Sequence, residues 1–257
     1  MLPKPLRKLS VLKNTTPIIM LSHMRANTSL FGHILGNNPE INGYYEMHIG
    51  YYSWKSLIRQ KLIYLEKHTF KNNSKYVFDK VLHNEHYINC ELLLDKKVKV
   101  IISLRPPNET IPSIINLYNK INPEHQFSTE SGAIKYYRER LNMLHIYAEK
   151  LKNNFLYLDA NLIKEETERS FSLIEQELNL VTPLTKEYNM QVMTGAKFAG
   201  DHSEALKKGK IDPQKSDFSN IILNPKSLDL LMDQYKEIRK KIIHYSKNNF
   251  QVITNAT

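Results

Sequence analysis

Three polar segments of the sequence each follow an apolar run and carry side chains that bind anions. They span residues 22–29, 79–80 and 105–113, and the first and third contain Arg25 and Arg105. The planar guanidinium of arginine donates paired hydrogen bonds to phosphate or sulfate oxygens, and hydroxyl groups in the same segments add further donors. These residue types indicate a site for an anionic ligand.

The elements that must position these segments alternate along the chain. Short apolar runs that are typical of buried parallel strands lie at 17–21, 75–80, 98–104 and 155–158. Stretches with helical spacing lie at 28–35, from about 49 to 67, from about 108 onward, and at 133–152, 170–180 and 227–247.

This alternation predicts an α/β, P-loop-like fold with about four to five parallel strands and helices on both faces of the sheet. Ligands bind at the carboxyl ends of the strands in such sheets, so we expect the three polar segments to converge at one edge. Asn108 or Thr110 is expected to cap the helix after the third strand. We expect one domain over 1–257, with an irregular leader at 1–15 and a long functional loop at 183–221.

Charge and composition narrow the class of protein. The 257 residues carry a formal net charge of +10 and a pI of about 9.4, which suggests an anionic partner. The lysines are dispersed rather than clustered, so we expect no nucleic-acid partner. Cys90 is the only cysteine, which excludes an intramolecular disulfide and a thiolate metal cluster and favours a reducing compartment. No segment has the apolar length of a signal-peptide core or a spanning helix, so we expect a soluble, cytoplasmic protein without stable membrane insertion.

The first polar segment precedes a helix whose N-terminal amides, at 27–30, can bind an anion. Thr28 and Ser29 add hydroxyl donors. A simple helix cap beside an exposed arginine is the alternative explanation for these residues. The pattern GxxxxGK[ST] is absent from the sequence, so a Walker-type nucleotide loop is not expected.

The stretch from Pro17 to Gly36, followed by 38–41, resembles the opening of sulfotransferases that use 3′-phosphoadenosine 5′-phosphosulfate (PAPS). Its register is most similar to that of the tyrosylprotein and carbohydrate-type enzymes. In the family this loop holds the 5′-phosphosulfate, and the resemblance assigns that role to Arg25, Ala26, Asn27, Thr28, Ser29 and Leu30. Asn27 replaces a glycine of the family pattern, and Met24 and Ala26 replace a proline and a serine. Asparagine tolerates left-handed backbone better than other non-glycine residues, so we expect the loop to keep its shape.

A second part of the resemblance concerns the 3′-phosphate, which distinguishes PAPS from ATP. The family has a β-branched strand, an arginine at the end of that strand and a serine on the next helix, and Arg105 and Ser113 match these positions. From there both side chains can reach one phosphate. Pro106 stands where the family commonly has aspartate, so the support of Arg105 is expected to differ.

The resemblance places Glu46 on the family residue that acts as general base for the acceptor, in a predicted loop that begins at Ile41. An attacking hydroxyl must lose its proton as the sulfur–oxygen bond forms, and His48 is the alternative base. Lys80 matches a lysine that neutralises charge as the product, 3′-phosphoadenosine 5′-phosphate (PAP), departs. Arg25 and the loop amides would hold the sulfuryl oxygens.

The segment 200–211 resembles the family's C-terminal cofactor loop. The residues that match its phosphate clamp are Lys208, Gly209 and Lys210, with Ser203 and Thr194 as further candidate donors. Tyr136 and Arg140 resemble a helix motif that lies near the cofactor in relatives, and their role stays open.

The resemblance implies in-line transfer of a sulfuryl group from PAPS to an acceptor hydroxyl, with PAP as product and without a metal. A saccharide is the first candidate acceptor, and peptidyl tyrosine or a small-molecule alcohol is the alternative. The aromatic residues near Glu46 either contact such an acceptor or belong to the core: Tyr44, Tyr45, Tyr51, Tyr52 and Trp54. Two other interpretations stay open, a nucleotide kinase on a similar sheet and a basic module that binds nucleotides or polyanions without catalysis. The ten histidines show no HExxH or comparable metal-ligand spacing.

Overall fold

A computed structural model of the protein describes residues 14–195, 204–214 and 217–251. Its strands are β1 (Thr16–Leu21), β2 (Ile41–Asn42), β3 (Tyr76–Val81), β4 (Lys99–Leu104), β5 (Leu156–Asp159) and β6 (Asn248–Phe250). Its helices are α1 (Thr28–Asn37), α2 (Trp54–Lys67), α3 (Cys90–Leu93), α4 (Pro107–Ile121), α5 (Glu130–Leu151), α6 (Leu162–Glu165), α7 (Thr167–Leu178), α8 (Glu204–Lys207) and α9 (Pro225–Tyr245), with a 3₁₀ turn at Gln126–Ser128.

The strands form one parallel sheet in the order β2-β3-β1-β4-β5-β6. β1 is central, and its last five residues are all buried, as expected for a parallel strand covered on both faces. The predicted α/β architecture is therefore confirmed. The sheet has six strands where four to five were expected. The edge strands β2 and β6 span only two and three residues, too few to form a recognisable apolar run.

The two faces of the sheet pack against different helices. Ile18 and Met20 of β1 point to one face and pack in a cluster with α1 and α7. Ile19 and Leu21 point to the other face and pack in a second cluster with α4, α5 and α9. Each buried aliphatic side chain of this kind contributes about 1.5–3 kcal/mol of hydrophobic stabilisation. The strands whose ends carry the polar segments are therefore packed between helices on both faces of the sheet.

The segment between β2 and α2 lies closer to the sheet than expected. Part of the predicted loop is β2 itself, and Gly43 follows with φ of 85°. A Cβ atom there would lie 2.2 Å from the carbonyl oxygen of Phe78, so only glycine lets the chain cross β3 at this distance. The helix expected from about 49 begins at Trp54, because Tyr51 forms an extended bridge with Ile88.

Two further expectations need correction. Asn108 and Thr110 lie inside α4, and Pro106 occupies the N-cap position, so neither residue caps the helix. Pro107 fits the first turn because that turn has no partner for the N–H that proline lacks. The predicted loop at 183–221 contains the short helix α8. Residues 1–13 of the leader and 196–203, including Ser203, lie outside the described residues.

Across the described ranges, no helix is both long enough and apolar enough to cross a membrane.

Candidate active site

The three polar segments meet at the carboxyl ends of β1, β3 and β4. Arg25 donates from Nε to Oγ of Ser113 at 2.9 Å. Arg105 donates from Nη1 to the carbonyl of Arg25, also at 2.9 Å. Lys80 donates from Nζ to Oγ of Ser29 at 2.9 Å. The fold thus joins in one site side chains that are far apart in the sequence.

The loop after β1 has an unusual backbone. Arg25 and Asn27 have φ values of 62° and 54°, in the left-handed region that non-glycine residues rarely adopt. The tolerance of Asn27 for this conformation was predicted and is confirmed. Its Nδ2 donates to the carbonyl of Ala160 at 2.9 Å and to Asn161 at 3.2 Å, so its side chain does not cap α1. The first turn of α1 holds no acidic residue, which leaves the positive end of the helix dipole without a carboxylate.

The remaining predicted loop residues contribute mainly through their backbone. Leu30 lies in the first turn of α1 and packs in the core. Ala26 is buried in the loop before this helix. Any contribution of these two residues to anion binding therefore comes from their amides. Thr28 is buried at the start of α1, and Ser29 contacts Lys80.

Tyr136 and Arg140 of α5 hold the ends of two strands together. Arg140 is fully buried and donates to the carbonyls of Ser22 and Val81, at 2.7 and 2.6 Å. The Tyr136 hydroxyl accepts from the N–H of Met24 and donates to the carbonyl of the residue after β3, both at 2.8 Å. Burial lowers the pKa of Arg140, but a guanidinium starts so high that it stays charged. The sequence left the role of this pair open. In the structure the pair fixes the loop after β1 and places a buried cation beneath it.

His23 is a positioning residue that the sequence did not reveal. Its Nε2 accepts the backbone N–H of Arg105 at 3.0 Å, so the proton is assigned to Nδ1, which lies 2.9 Å from the carbonyl of Met24. Burial lowers the pKa of His23 to about 3, and the nearby arginines act in the same direction. The neutral imidazole thereby ties the end of β4 to the loop after β1. Histidine directly after a strand is too common to signal this role.

Arg105 is supported by Glu109 rather than by a residue at position 106. Its Nε and Nη2 lie 3.0 and 2.9 Å from Oε2 of Glu109, which also accepts from Asn161 at 3.0 Å. Burial lowers the pKa of Arg105, and the charge of Glu109 opposes this change. Together with the bond to Arg25, these contacts occupy three of the five N–H donors of the guanidinium. The other donors can serve a ligand.

A cavity of about 450 Å³ opens beside Arg105, within the range of sites for small organic ligands. Its walls combine polar residues of α4 with an apolar segment at 218–228 and Asp229. The residues that line it include Asn108, Glu109, Phe218, Ile221 and Leu223.

The two predicted candidate bases, Glu46 and His48, are neighbours in the structure. Glu46 is 5% exposed, and its Oε1 lies 3.7 Å from Nδ1 of His48, a partly exposed residue. Asp79, within β3, accepts the N–H of Met47 at 2.9 Å and so holds the residue between Glu46 and His48. The 3.7 Å between Oε1 of Glu46 and Nδ1 of His48 is too long for a hydrogen bond.

Asp79 is a second buried carboxyl group that the sequence prediction passed over. It accepts from the hydroxyl of Tyr51 at 2.6 Å and from the N–H of Lys80 at 2.7 Å. Burial raises the pKa of Asp79 to about 7, the hydrogen bonds from Tyr51 and the backbone oppose this rise, and the charge of Glu46 adds to it. Lys80 is 1% exposed, so its ammonium lies in a poorly hydrated environment.

The aromatic residues near Glu46 divide into two groups. The buried ones belong to the core: Tyr44, Tyr45 and Tyr51. Tyr52 and Trp54 are 58% and 61% exposed. The ring of Tyr52 stacks on that of Tyr87, with centroids 5.2 Å apart and an interplanar angle of 24°.

His86, on the turn after β3, completes a group of possible metal ligands with Glu46 and His48. One donor atom from each residue lies within 4.8 Å of the others. The sequence did not reveal this group, because His86 lies on a different element and a local motif search detects only ligands that are close in sequence.

The segment with Lys208, Gly209 and Lys210 is linked to α1 through Tyr188. The Gly209 carbonyl accepts from the N–H of Tyr188 at 2.8 Å, and the Tyr188 ring packs on His33 of α1. His33 in turn lies 2.8 Å from Oγ1 of Thr194. The side chain of Lys208 forms an ion pair with Asp212 at 2.5 Å. The backbone of Lys210 forms an isolated antiparallel β-bridge with Glu187. The structure thus places this segment beside α1, the helix that follows the loop after β1, and its role as a phosphate clamp stays a prediction.

Comparison with known proteins gives a fold. No family model and no curated protein matches the chain. Among solved structures, a sulfotransferase domain from the curacin biosynthetic pathway matches with a TM-score of 0.58 and 14% identity, over 86% of this chain and 97% of that one. A sulfotransferase domain from the olefin synthase of Synechococcus PCC 7002 matches with a TM-score of 0.55 and 12% identity, over 87% and 96%. The fold that the sequence resemblance implied is therefore confirmed: this chain has the fold of sulfotransferase domains.

Proposed function

We propose that this protein is a sulfotransferase that moves the sulfuryl group of PAPS to an acceptor hydroxyl. The observation that carries the proposal is the hydrogen-bonded junction of two anion-binding elements. Arg25, from the loop after β1, bonds Ser113, and Arg105, from the end of β4, bonds the backbone of Arg25. A ligand with anionic groups at both its 3′ and 5′ positions uses both elements, whereas a ligand with one anionic end needs only one.

The residues present fit PAPS. Arg105 and Ser113 would hold the 3′-phosphate, with the donors of Arg105 that Glu109 and Arg25 leave available. Ser29, Lys80 and the amides at the start of α1 would hold the 5′-phosphosulfate. The cavity beside Arg105 has room for part of a nucleoside, between the apolar side chains at 218–228 and the amide of Asn108. Glu109 repels a phosphate, and its charge is offset by its ion pair with Arg105.

Bound PAPS supplies a sulfuryl group that is activated by its anhydride link to phosphate. Lys80 would stabilise the negative charge that develops on the phosphate oxygen as the sulfur–oxygen bond breaks. Its ammonium is buried, and charge interactions are stronger where water is excluded. Arg140, buried beneath the loop, adds to the positive potential there.

Glu46 would accept the proton of the attacking hydroxyl, and His48 would stabilise or replace it in that task. The carboxylate is buried but borders the partly exposed His48, so an acceptor can approach from that side. Asp79 holds the backbone between the two residues.

A saccharide is the acceptor that we favour. Tyr52, Tyr87 and Trp54 form an exposed aromatic surface, and Tyr87 follows His86, whose ring packs against His48 with centroids 5.6 Å apart. Aromatic faces bind the apolar faces of sugar rings without losing side-chain freedom, since these rings already stack on each other. Peptidyl tyrosine and small-molecule alcohols are the alternative acceptors.

Calorimetry with PAP and with ATP–Mg²⁺ tests the proposal. We expect PAP to bind with a dissociation constant at least tenfold lower than that of ATP–Mg²⁺. Tighter binding of ATP–Mg²⁺ would favour a kinase instead. Steeply salt-dependent binding of heparin or DNA, without binding of PAP, would favour a polyanion-binding module.

The acceptor is tested separately, by incubating the protein with ³⁵S-labelled PAPS and panels of oligosaccharides, tyrosine peptides and small alcohols. We expect labelled saccharides, and a loss of labelling for Tyr52→Ala or Tyr87→Ala with PAP affinity unchanged. Labelling of peptides alone would refute the saccharide assignment.

A further inference from the structure

Glu46, His48 and His86 form a group with the chemistry of a metal site. One donor atom from each lies within 4.8 Å of the others. Two imidazoles and one carboxylate are a ligand set used for zinc and for other divalent transition metals, with further positions left for water. None of the three residues was selected as a metal ligand by spacing in the sequence.

Two of the donor atoms are buried without a hydrogen-bond partner among the described residues. They are Oε1 of Glu46 and Nε2 of His86. The distances to the nearest charged neighbours, 3.7 Å from Glu46 to His48 and 3.8 Å from His86 to Glu85, exceed hydrogen-bonding range. A buried carboxylate oxygen without a partner is costly, and a bound cation removes that cost.

The backbone holds the two ligand-bearing segments side by side. The N–H of Tyr51 donates to the carbonyl of Tyr87 at 2.7 Å, and the N–H of Asn89 donates to the carbonyl of Tyr51 at 2.8 Å. Ligands of a tetrahedral zinc site with bonds of roughly 2.0–2.1 Å lie about 3.4 Å apart, so the donors must approach by about 1.4 Å at most. His48 is exposed and can make this movement by side-chain rotation.

The local charges allow a divalent ion. Arg140 and Lys80 lie on the sheet side and oppose a further positive charge. Glu85 lies beside His86, at 3.8 Å, and supplies negative charge on that side of the group.

We infer that Glu46, His48 and His86 bind a divalent transition-metal ion, with Zn²⁺ as the best match to the ligand set. The bound ion would coordinate the carboxylate of Glu46 and so prevent it from accepting a proton. Zn²⁺ would then be a reversible inhibitor of the site. This consequence for catalysis rests on the proposed function, whereas the binding of the ion does not.

Titration of the metal-free protein with Co²⁺ tests the inference, because a four- or five-coordinate Co²⁺ site absorbs visible light intensely. We expect one equivalent of Co²⁺ to bind and Zn²⁺ to displace it. His86→Ala and His48→Gln should each weaken binding by more than the roughly 10–100-fold that loss of an outer-sphere contact costs. His244→Ala, on the exposed surface of α9, is the matched control and should bind Co²⁺ like the wild type.

Two further measurements separate the possible failures. Thermal unfolding in chelator shows whether each variant is folded, which matters at His48 because this exposed residue has a left-handed backbone with φ of 53°. Absence of saturable binding by the wild type, or equal affinity in a folded His48→Gln protein, overturns the metal site. PAP calorimetry on the metal-free protein tests the proposed function alone, so a protein that binds Co²⁺ but not PAP refutes the sulfotransferase assignment and leaves the metal site intact.

Discussion

Replacement of Arg105 by alanine is the most direct test of how the two anion-binding elements work together. The guanidinium retains two N–H donors beyond its contacts with Glu109 and Arg25. Each hydrogen bond from a charged group contributes about 1.5–3 kcal/mol, so loss of two costs at least about 3 kcal/mol. Since about 1.4 kcal/mol corresponds to tenfold in affinity, we expect Arg105→Ala to weaken PAP binding by at least about 100-fold.

The same substitution leaves the carboxylate of Glu109 next to the proposed phosphate site without its cation. We therefore expect the double variant Arg105→Ala/Glu109→Gln to bind PAP several-fold more tightly than Arg105→Ala. Calorimetry measures both dissociation constants, at a temperature below the thermal unfolding midpoint of each variant. Arg169→Ala is the matched control, because Arg169 also pairs with a glutamate one turn away on a helix, Glu166 at 2.7 Å. If Arg105→Ala binds PAP within threefold of the wild type, the assignment of the 3′-phosphate site is wrong.

Three other predictions address the base, the loop and the buried carboxyl group. Glu46→Gln should reduce transfer from PAPS by at least about 100-fold with PAP affinity unchanged, and a loss below about threefold would exclude Glu46 as the base. Asn27→Gly should keep the fold and PAP binding, because glycine adopts the observed φ of 54°, whereas Asn27→Val should lower the free energy of unfolding by about 1–3 kcal/mol, as denaturant titration measures. The pKa of Asp79 is raised from 3.8 to about 7 in the folded protein, so the native state holds this proton more tightly than the unfolded state and the group lowers stability as pH rises from about 4 to 7. The unfolding midpoint of Asp79→Asn should therefore rise relative to that of the wild type as pH increases across this interval. A difference between the two midpoints that stays constant with pH would refute the raised pKa.

The buried hydrogen bonds of α5 suggest why the loop after β1 keeps its strained shape. Left-handed backbone at Arg25 and Asn27 costs free energy that the surroundings must offset. The Tyr136 hydroxyl accepts the N–H of Met24, and Arg140 donates to the carbonyl of Ser22. His23 accepts the N–H of Arg105 and so links the loop to the end of β4. The anion loop is thus held in shape by polar contacts from elements distant in sequence.

Sequence patterns were sufficient for the parts of the protein that depend on local chemistry. Continuous apolar runs predicted the central strands, since a parallel strand is buried on both faces. Arg25 and Arg105 were singled out because each follows an apolar run and parallel strand ends share one edge, whereas Lys80 and Ser113 were assigned by the resemblance to sulfotransferases. Element boundaries were less certain: α2 begins at Trp54 because a bridge between Tyr51 and Ile88 keeps the preceding segment extended.

The sequence by itself determined the α/β architecture, because apolar runs alternate with stretches of helical spacing, and it predicted that the three polar segments meet at one edge of the sheet. Only the tertiary structure decided which residues act in pairs. Arg25 bonds Ser113 from a different element, and His86 reaches Glu46 from a separate turn. It also separated the core tyrosine Tyr51 from the exposed Tyr52, which adjoin in the sequence. The physical reason is that burial and contact depend on how distant segments pack, whereas residue order records only neighbours along the chain.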